Sequence, residues 1–167
     1  MPKCKGHGQA LVLSQREADS ILDACTPALR AVFSFTRCTA ARISEVLNLK
    51  FENLTNAYVV LPKRICKGKT KTREVPINYR LAQEIAACKA HLTRAAADKA
   101  LRKICEKLGI DGASTHSWRR SALSNANEAG ISLRVLQSIS GHANLDVLSR
   151  YLQTSDRQKQ EACDAFG

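Results

Sequence analysis

The sequence predicts a mainly α-helical single domain with a small antiparallel β-sheet inserted early, an α+β fold. Three observations carry this. Apolar residues recur at helical spacing along most of the chain, between recognisable caps. Two short runs rich in branched residues, "AYVVLP" (57–62) and "TREVPI" (72–77), interrupt that pattern. Apolar residues make up 44% of 167 residues, enough to bury one core without a second domain.

The elements follow in order. Ser14 with Glu17 three residues on is a capping box, and opens a helix through about Cys25. Thr26-Pro27 restarts a helix with proline at its first position, continued by "ALRAVFSFTRC". "ARISEVLNLK" places Ile43, Val46 and Leu47 on one helical face. The two branched runs then form a hairpin around "KRICKGKTK", a basic tip containing Gly68. Asn78 caps a helix over 79–92, and "DKALRKICEKLG" gives another that ends at Gly109. "THSWRRSALSNANEAG" is a helix from about Thr115 to Gly130. "SLRVLQSISG" is short and bounded by Ser132 and Gly141. "NLDVLSRYLQ" starts at Asn144, and "SDRQKQEACDAF" forms a last short helix.

Charge narrows the function. The formal net charge is +11, which points to a polyanionic partner, because neutralising phosphates releases counterions. A soluble basic protein without such a partner is the plainer alternative. The seven cysteines include no C-x-x-C pair, and several sit in apolar helical stretches ("LDAC", "IAAC", "RKIC"). They read as small hydrophobes in a reducing, cytoplasmic interior, and neither a disulfide framework nor a zinc site is expected. No apolar run has the length of a signal peptide core or a membrane span, so no membrane partner is expected.

Five features carry candidate chemistry: Arg42 in "TAARISE"; the turn with Lys67, Lys69 and Lys71; His116 and Arg119 in "HSWRR", three apart and on one helical face; His142 after a glycine; and Tyr151. Each has an ordinary explanation. Arg42 can be a salt-bridged arginine paired with Glu45. The lysine turn can be a solvated loop, the His-x-x-Arg pair chance, and His142 part of a helix cap. Tyr151 lies one turn from Val147 and Leu148 and can be a core aromatic. Together they match one reaction. Breaking a phosphodiester without a metal needs fixed cations around the phosphate oxygens, a proton donor for the leaving oxygen and a nucleophile held in line. No acidic cluster suited to a two-metal site stands beside them.

Across residues 39–152 the sequence resembles the tyrosine recombinases, or phage integrases. The resemblance lies in "TAARISEVLNLKFENL", "KGKTKTREVPI" and "STHSWRRSALSNANEAGISLRVLQSISGHANLDVLSRYL". It implies the tyrosine recombinase catalytic-domain fold and a role for each residue. Arg42 and Arg119 grip the non-bridging phosphate oxygens. Lys67 protonates the leaving 5′-hydroxyl, with Lys69 and Lys71 close enough to compete for that role. His116 assists as acid or base, His142 hydrogen-bonds the phosphate, and Tyr151 forms a 3′-phosphotyrosine link. Glu45 supports the site. The family often has glycine in the turn before the first arginine, where this chain has Ala40-Ala41.

The resemblance further implies a site-specific recombinase that takes double-stranded DNA and no cofactor. It would act as a homo-tetramer on DNA and be a monomer or weak oligomer when free. Residues 1–167 form a single catalytic domain, in which about 153–167 is the C-terminal tail or exchange helix. The family's N-terminal DNA-clamp domain has almost no room here and is expected to be absent, the chain being either a catalytic fragment or a small stand-alone version. Two other functions use the same features: a type IB topoisomerase-like enzyme that relaxes DNA, and a non-catalytic DNA-binding protein of the same fold.

Overall fold

The computed structural model of the chain describes residues 10–55, 57–66, 71–77, 81, 83–85, 92–149, 152 and 156–166. Helix α1 (Gln15–Asp23) starts at the capping box read from the sequence: Ser14 Oγ accepts from the Glu17 amide, and the Glu17 carboxylate accepts from the Ser14 amide at 2.8 Å. Helix α2 (Pro27–Thr39) follows with proline at its first turn and buries Phe33 and Phe35 completely. It ends at Ala40, which takes a left-handed conformation (φ 51°). A short helix α3 (Ile43–Leu47) and a 3-10 turn (Phe51–Asn53) lead into the sheet.

Strands β1 (Tyr58–Leu61) and β2 (Arg73–Pro76) pair antiparallel, Val59 opposite Val75 and Leu61 opposite Arg73. Side chains alternate across a strand. Val59, Leu61 and Val75 therefore face the core, and Arg73 faces inward with them. The expected hairpin is present, with the tip at 67–70 outside the described residues.

Helix α4 (Arg94–Leu108) begins four residues before the sequence-based start at Asp98, because the Thr93 hydroxyl caps it by accepting from the Ala96 amide. Its end at Gly109, left-handed at φ 66°, is as expected. The helix expected over 79–92 falls mostly outside the described residues; 81 and 83–85 are helical. Helices α5 (Thr115–Glu128), α6 (Leu133–Ser140), α7 (Leu145–Ser149) and α8 (Asp156–Ala165) complete the chain.

The core lies where α2 crosses α5. Trp118 stacks on Phe33 with ring centroids 5.1 Å apart, and both are sealed from solvent. Burial of such aromatics, together with the Leu, Ile and Val side chains of α1, α3, β1 and α4, supplies most of the driving force. A second small cluster joins Ala40, Leu123, Leu136 and Leu148, so one apolar patch ties the end of α2 to α5, α6 and α7. Cys66 and Cys105 are buried free thiols, and burial pushes Cys105 up and Cys25 up to about 11, as for small hydrophobic residues. No helix among the described residues is long and apolar enough to cross a membrane.

Candidate active site

Four of the six expected residues come together; Lys67 and Tyr151 lie outside the described residues. Arg42 stands at the start of α3. Its amide donates to Glu45 Oε2 at 2.9 Å and its guanidinium to Glu45 Oε1 at 2.9 Å. The pairing with Glu45 raised as the plain explanation of Arg42 is thus real, but it does not stand alone. Glu45 is 1% exposed, and its Oε2 also accepts from Arg73 Nη2 at 2.6 Å. Desolvation would push this carboxyl up; the guanidiniums of Arg73 and Arg42 outweigh it and hold Glu45 below the usual range.

Arg119 projects from the middle of α5 into a buried position. It donates to the carbonyls of Ala40 and Ser140, the latter at 2.8 Å, and so bridges the ends of α2 and α6. Its Nη2 lies 3.3 and 3.5 Å from the two ring nitrogens of His142. The cation therefore sits against the ring instead of addressing one nitrogen. Ser140 Oγ lies 2.7 Å from His142 Nδ1, and Gln137 Nε2 donates to the His142 carbonyl at 3.1 Å. Burial, then the charges of Arg119, Arg42 and Arg73, depress the His142 imidazole to about 4. The ring is neutral at neutral pH.

His116, one turn before Arg119, is exposed, and its Nε2 lies 3.5 Å from Arg94 Nη2. Partial desolvation and then Arg94 lower its pKa; Asp98 opposes them, and Arg119 and Arg42 add to the depression. Arg42 and Arg119 therefore act on both histidines, which places the four groups in one electrostatic neighbourhood.

Three participants escaped the sequence reading. Arg73 had a signal: in "TREVPI" it shares strand phase with Val75 and Ile77, so an inward-facing strand carries an arginine. Arg94 had none, because His116 lies on another helix; Ser140 stands two residues before His142, a spacing that does not by itself point to the ring. Asp98, taken from the sequence as part of a helix start, instead accepts from the Thr115 hydroxyl at 2.8 Å and fixes the first turn of α5.

Described residues close in sequence to the two remaining ones lie near this site. Cys66, next to Lys67, is buried with its sulfur 3.9 Å from Arg73 Nη2. Leu148 and Leu152 flank Tyr151 in sequence and pack into the small cluster with Ala40 and Leu136. Val147 is exposed, so Leu148 is the core residue of this stretch. Lys71 is exposed at the start of the returning strand. Chemically, two guanidiniums pair with one carboxylate and a third lies against the neutral His142 ring, an arrangement that accepts an oxyanion. Among the described residues no group of three or more His, Cys, Asp or Glu side chains could hold a metal.

The phage integrase family model matches residues 85–158. A tyrosine recombinase of Pseudothermotoga lettingae is 28% identical over 137 residues, covering 72% of this chain and 48% of that protein. Tyrosine recombinase XerA of Pyrococcus furiosus is 28% identical over 148 residues, covering 75% and 50%. The chain thus spans about half the length of the curated relatives it matches. Among solved structures, the catalytic domain of bacteriophage HP1 integrase superimposes with a TM-score of 0.69 at 22% identity, covering 86% of this chain and 87% of that one. The Tn1549 transposon integrase in complex with transposon right end DNA gives 0.79 at 13% identity, covering 98% and 68%. The two comparisons agree: residues 85–158 match the phage integrase family model, and the chain has the fold of tyrosine recombinase catalytic domains.

Proposed function

We propose that the chain cleaves and rejoins DNA strands at specific sites through a 3′-phosphotyrosine intermediate on Tyr151, with arginines in the part that metal ions play in other phosphoryl-transfer sites. One observation carries this reading: the charges of Arg119, Arg42 and Arg73 all act on the His142 ring, against the single carboxylate of Glu45, which pairs with Arg42 and Arg73. The excess positive charge suits a phosphodiester. It suits still better the five-coordinate phosphorus of the transition state, where more negative charge collects on the non-bridging oxygens.

In the proposed reaction Tyr151 Oη attacks phosphorus and the bond to the 5′-oxygen breaks. Arg42 and Arg119 hold the non-bridging oxygens. The leaving 5′-oxygen takes its proton from Lys67. His116, held neutral by its surroundings, accepts the tyrosine proton. Neutral His142 donates a ring N–H to a phosphate oxygen. Rejoining is the reverse, with a 5′-hydroxyl from the same or another strand as nucleophile. Support for DNA as the substrate comes from the solved relatives: XerH recombinase bound to its difH substrate and the Tn1549 integrase with transposon DNA. Recombination of two sites by four copies of the chain, with exchange of about 153–167 between neighbours, belongs to the same reading.

The test uses supercoiled plasmid, without added metal, stopped with detergent. Wild type should leave protein covalently attached to DNA, and Tyr151→Phe should not, because only the nucleophilic oxygen is lost. Adducts that persist in Tyr151→Phe would remove Tyr151 as the nucleophile. Relaxed circles without strand exchange between two sites would favour a topoisomerase outcome.

A further inference from the structure

Arg73 has no part in the reaction just described, yet it is among the most constrained side chains near the site. It is 7% exposed. Its Nη1 donates to the Ile139 carbonyl at 2.7 Å and its Nη2 to Glu45 Oε2 at 2.6 Å. Its stem runs beneath Gly141, where an added Cβ would lie 2.5 Å from Arg73 Cδ and 2.7 Å from Nε. The strand register fixes its root opposite Leu61. Arg73 therefore cannot turn away. The Arg42 side chain is on the open side of the same carboxylate and is 21% exposed.

Resting on the phosphate-site reading above, we propose that Arg73 is a positioning residue that acts through Arg42: by holding Glu45 from the strand side, it lets the Arg42 guanidinium exchange Glu45 for a phosphate oxygen. The two carboxylate oxygens are not equivalent. Oε1 faces Arg42 Nη1, whereas Oε2 takes the Arg42 amide and Arg73. When Arg42 swings to an anion, Glu45 keeps a guanidinium and a backbone N–H. Without Arg73, the same motion would leave a buried carboxylate with only the N–H, and a buried charge that loses its partner is strongly disfavoured. Arg42 would then stay bound to Glu45. An arginine suits this place because its fork reaches Ile139 and Glu45 together, which a single ammonium cannot do.

The test is a double-mutant cycle on the whole 167-residue chain. Inorganic sulfate serves as the probe, and binding is followed through the NMR signals of the His142 ring at a temperature where every variant is folded. Arg73→Met should weaken sulfate binding about tenfold, the worth of one charge-assisted contact. In an Arg42→Ala background the same change should have less than about a twofold effect, because the residue it acts through is gone. An equal loss in both backgrounds would mean a direct field effect or a collapsed pocket, and would overturn the proposal. So would unchanged binding in Arg73→Met. If Arg73→Met does not fold, Arg73→Lys, which keeps the charge but not both bonds, takes its place in the same cycle with the same outcomes. Failure of the unaltered chain to bind sulfate would instead overturn the phosphate-site reading on which this rests.

Discussion

Gly141 sits over Arg73 so closely that no side chain fits between them: a Cβ there would lie 2.5 Å from Arg73 Cδ. The glycine also adopts φ +68°, the left-handed region. Gly109 has nearly the same φ, +66°, with open space around it. The pair makes an internal control. Gly109→Ala should cost about 1 kcal/mol for the backbone alone. Gly141→Ala should cost a further 1–3 kcal/mol or so for displacing Arg73. It should also depress DNA cleavage, because His142 follows directly. Equal unfolding midpoints in urea for the two variants would contradict the contact.

The Arg119–His142 pair gives a pH dependence. An unfolded imidazole takes up its proton near 6.5, whereas folded His142 does so only near 4. Between those values the unfolded chain binds a proton that the folded chain refuses. The stability this ring contributes is complete above pH 6.5 and is lost as pH falls toward 4, about 3 kcal/mol in all. His116 and, at lower pH, Glu45 act in the same direction. Urea unfolding measured at pH 7 and pH 4.5 should therefore show a drop that His142→Gln reduces. An identical drop in that variant would disconnect the ring from the effect.

The two arginines should fail differently when truncated. Arg42 is half-buried, and Glu45 keeps Arg73 in its absence. Arg42→Ala should fold well and slow cleavage by about a hundred- to a thousand-fold, the scale of losing one oxyanion donor. Arg119 also holds the carbonyls of Ala40 and Ser140 in the interior. Arg119→Ala should slow cleavage as much and cost about 2 kcal/mol or more of stability, because those carbonyls lose their donor. Single-turnover cleavage and thermal melts separate the two effects; an Arg119→Ala protein that melts like wild type would argue against the bridging role.

Local signals marked local structure reliably. The Ser14–Glu17 capping box, Pro27 and the two terminal glycines Gly109 and Gly141 each mark a boundary through bonds made within a few residues, so each could be read without the fold. Helix α4 extends further toward the N-terminus than the stretch read from the sequence, because Thr93 caps it, while Asp98 accepts from the Thr115 hydroxyl. In the candidate site, Arg42, His116, Arg119 and His142 stand out by residue type and spacing, and the roles expected of them rest on the resemblance. What spacing could not convey is that Arg119 fastens α2 to α6, or that Glu45 is shared between two arginines 31 residues apart in sequence. Both depend on partners that stand on different elements and meet only in the packed domain.

Helix α8 buries none of its residues. Among its contacts with the rest of the domain, Arg157 and Gln158 donate to the carbonyls of Glu128 and Asn127 at the end of α5. Ten residues are too few to hold a helix in water unaided. Its amides should accordingly exchange with solvent through a local opening that leaves the Phe33–Trp118 stack intact. On this reading the terminal helix opens and closes many times during a single lifetime of the folded core.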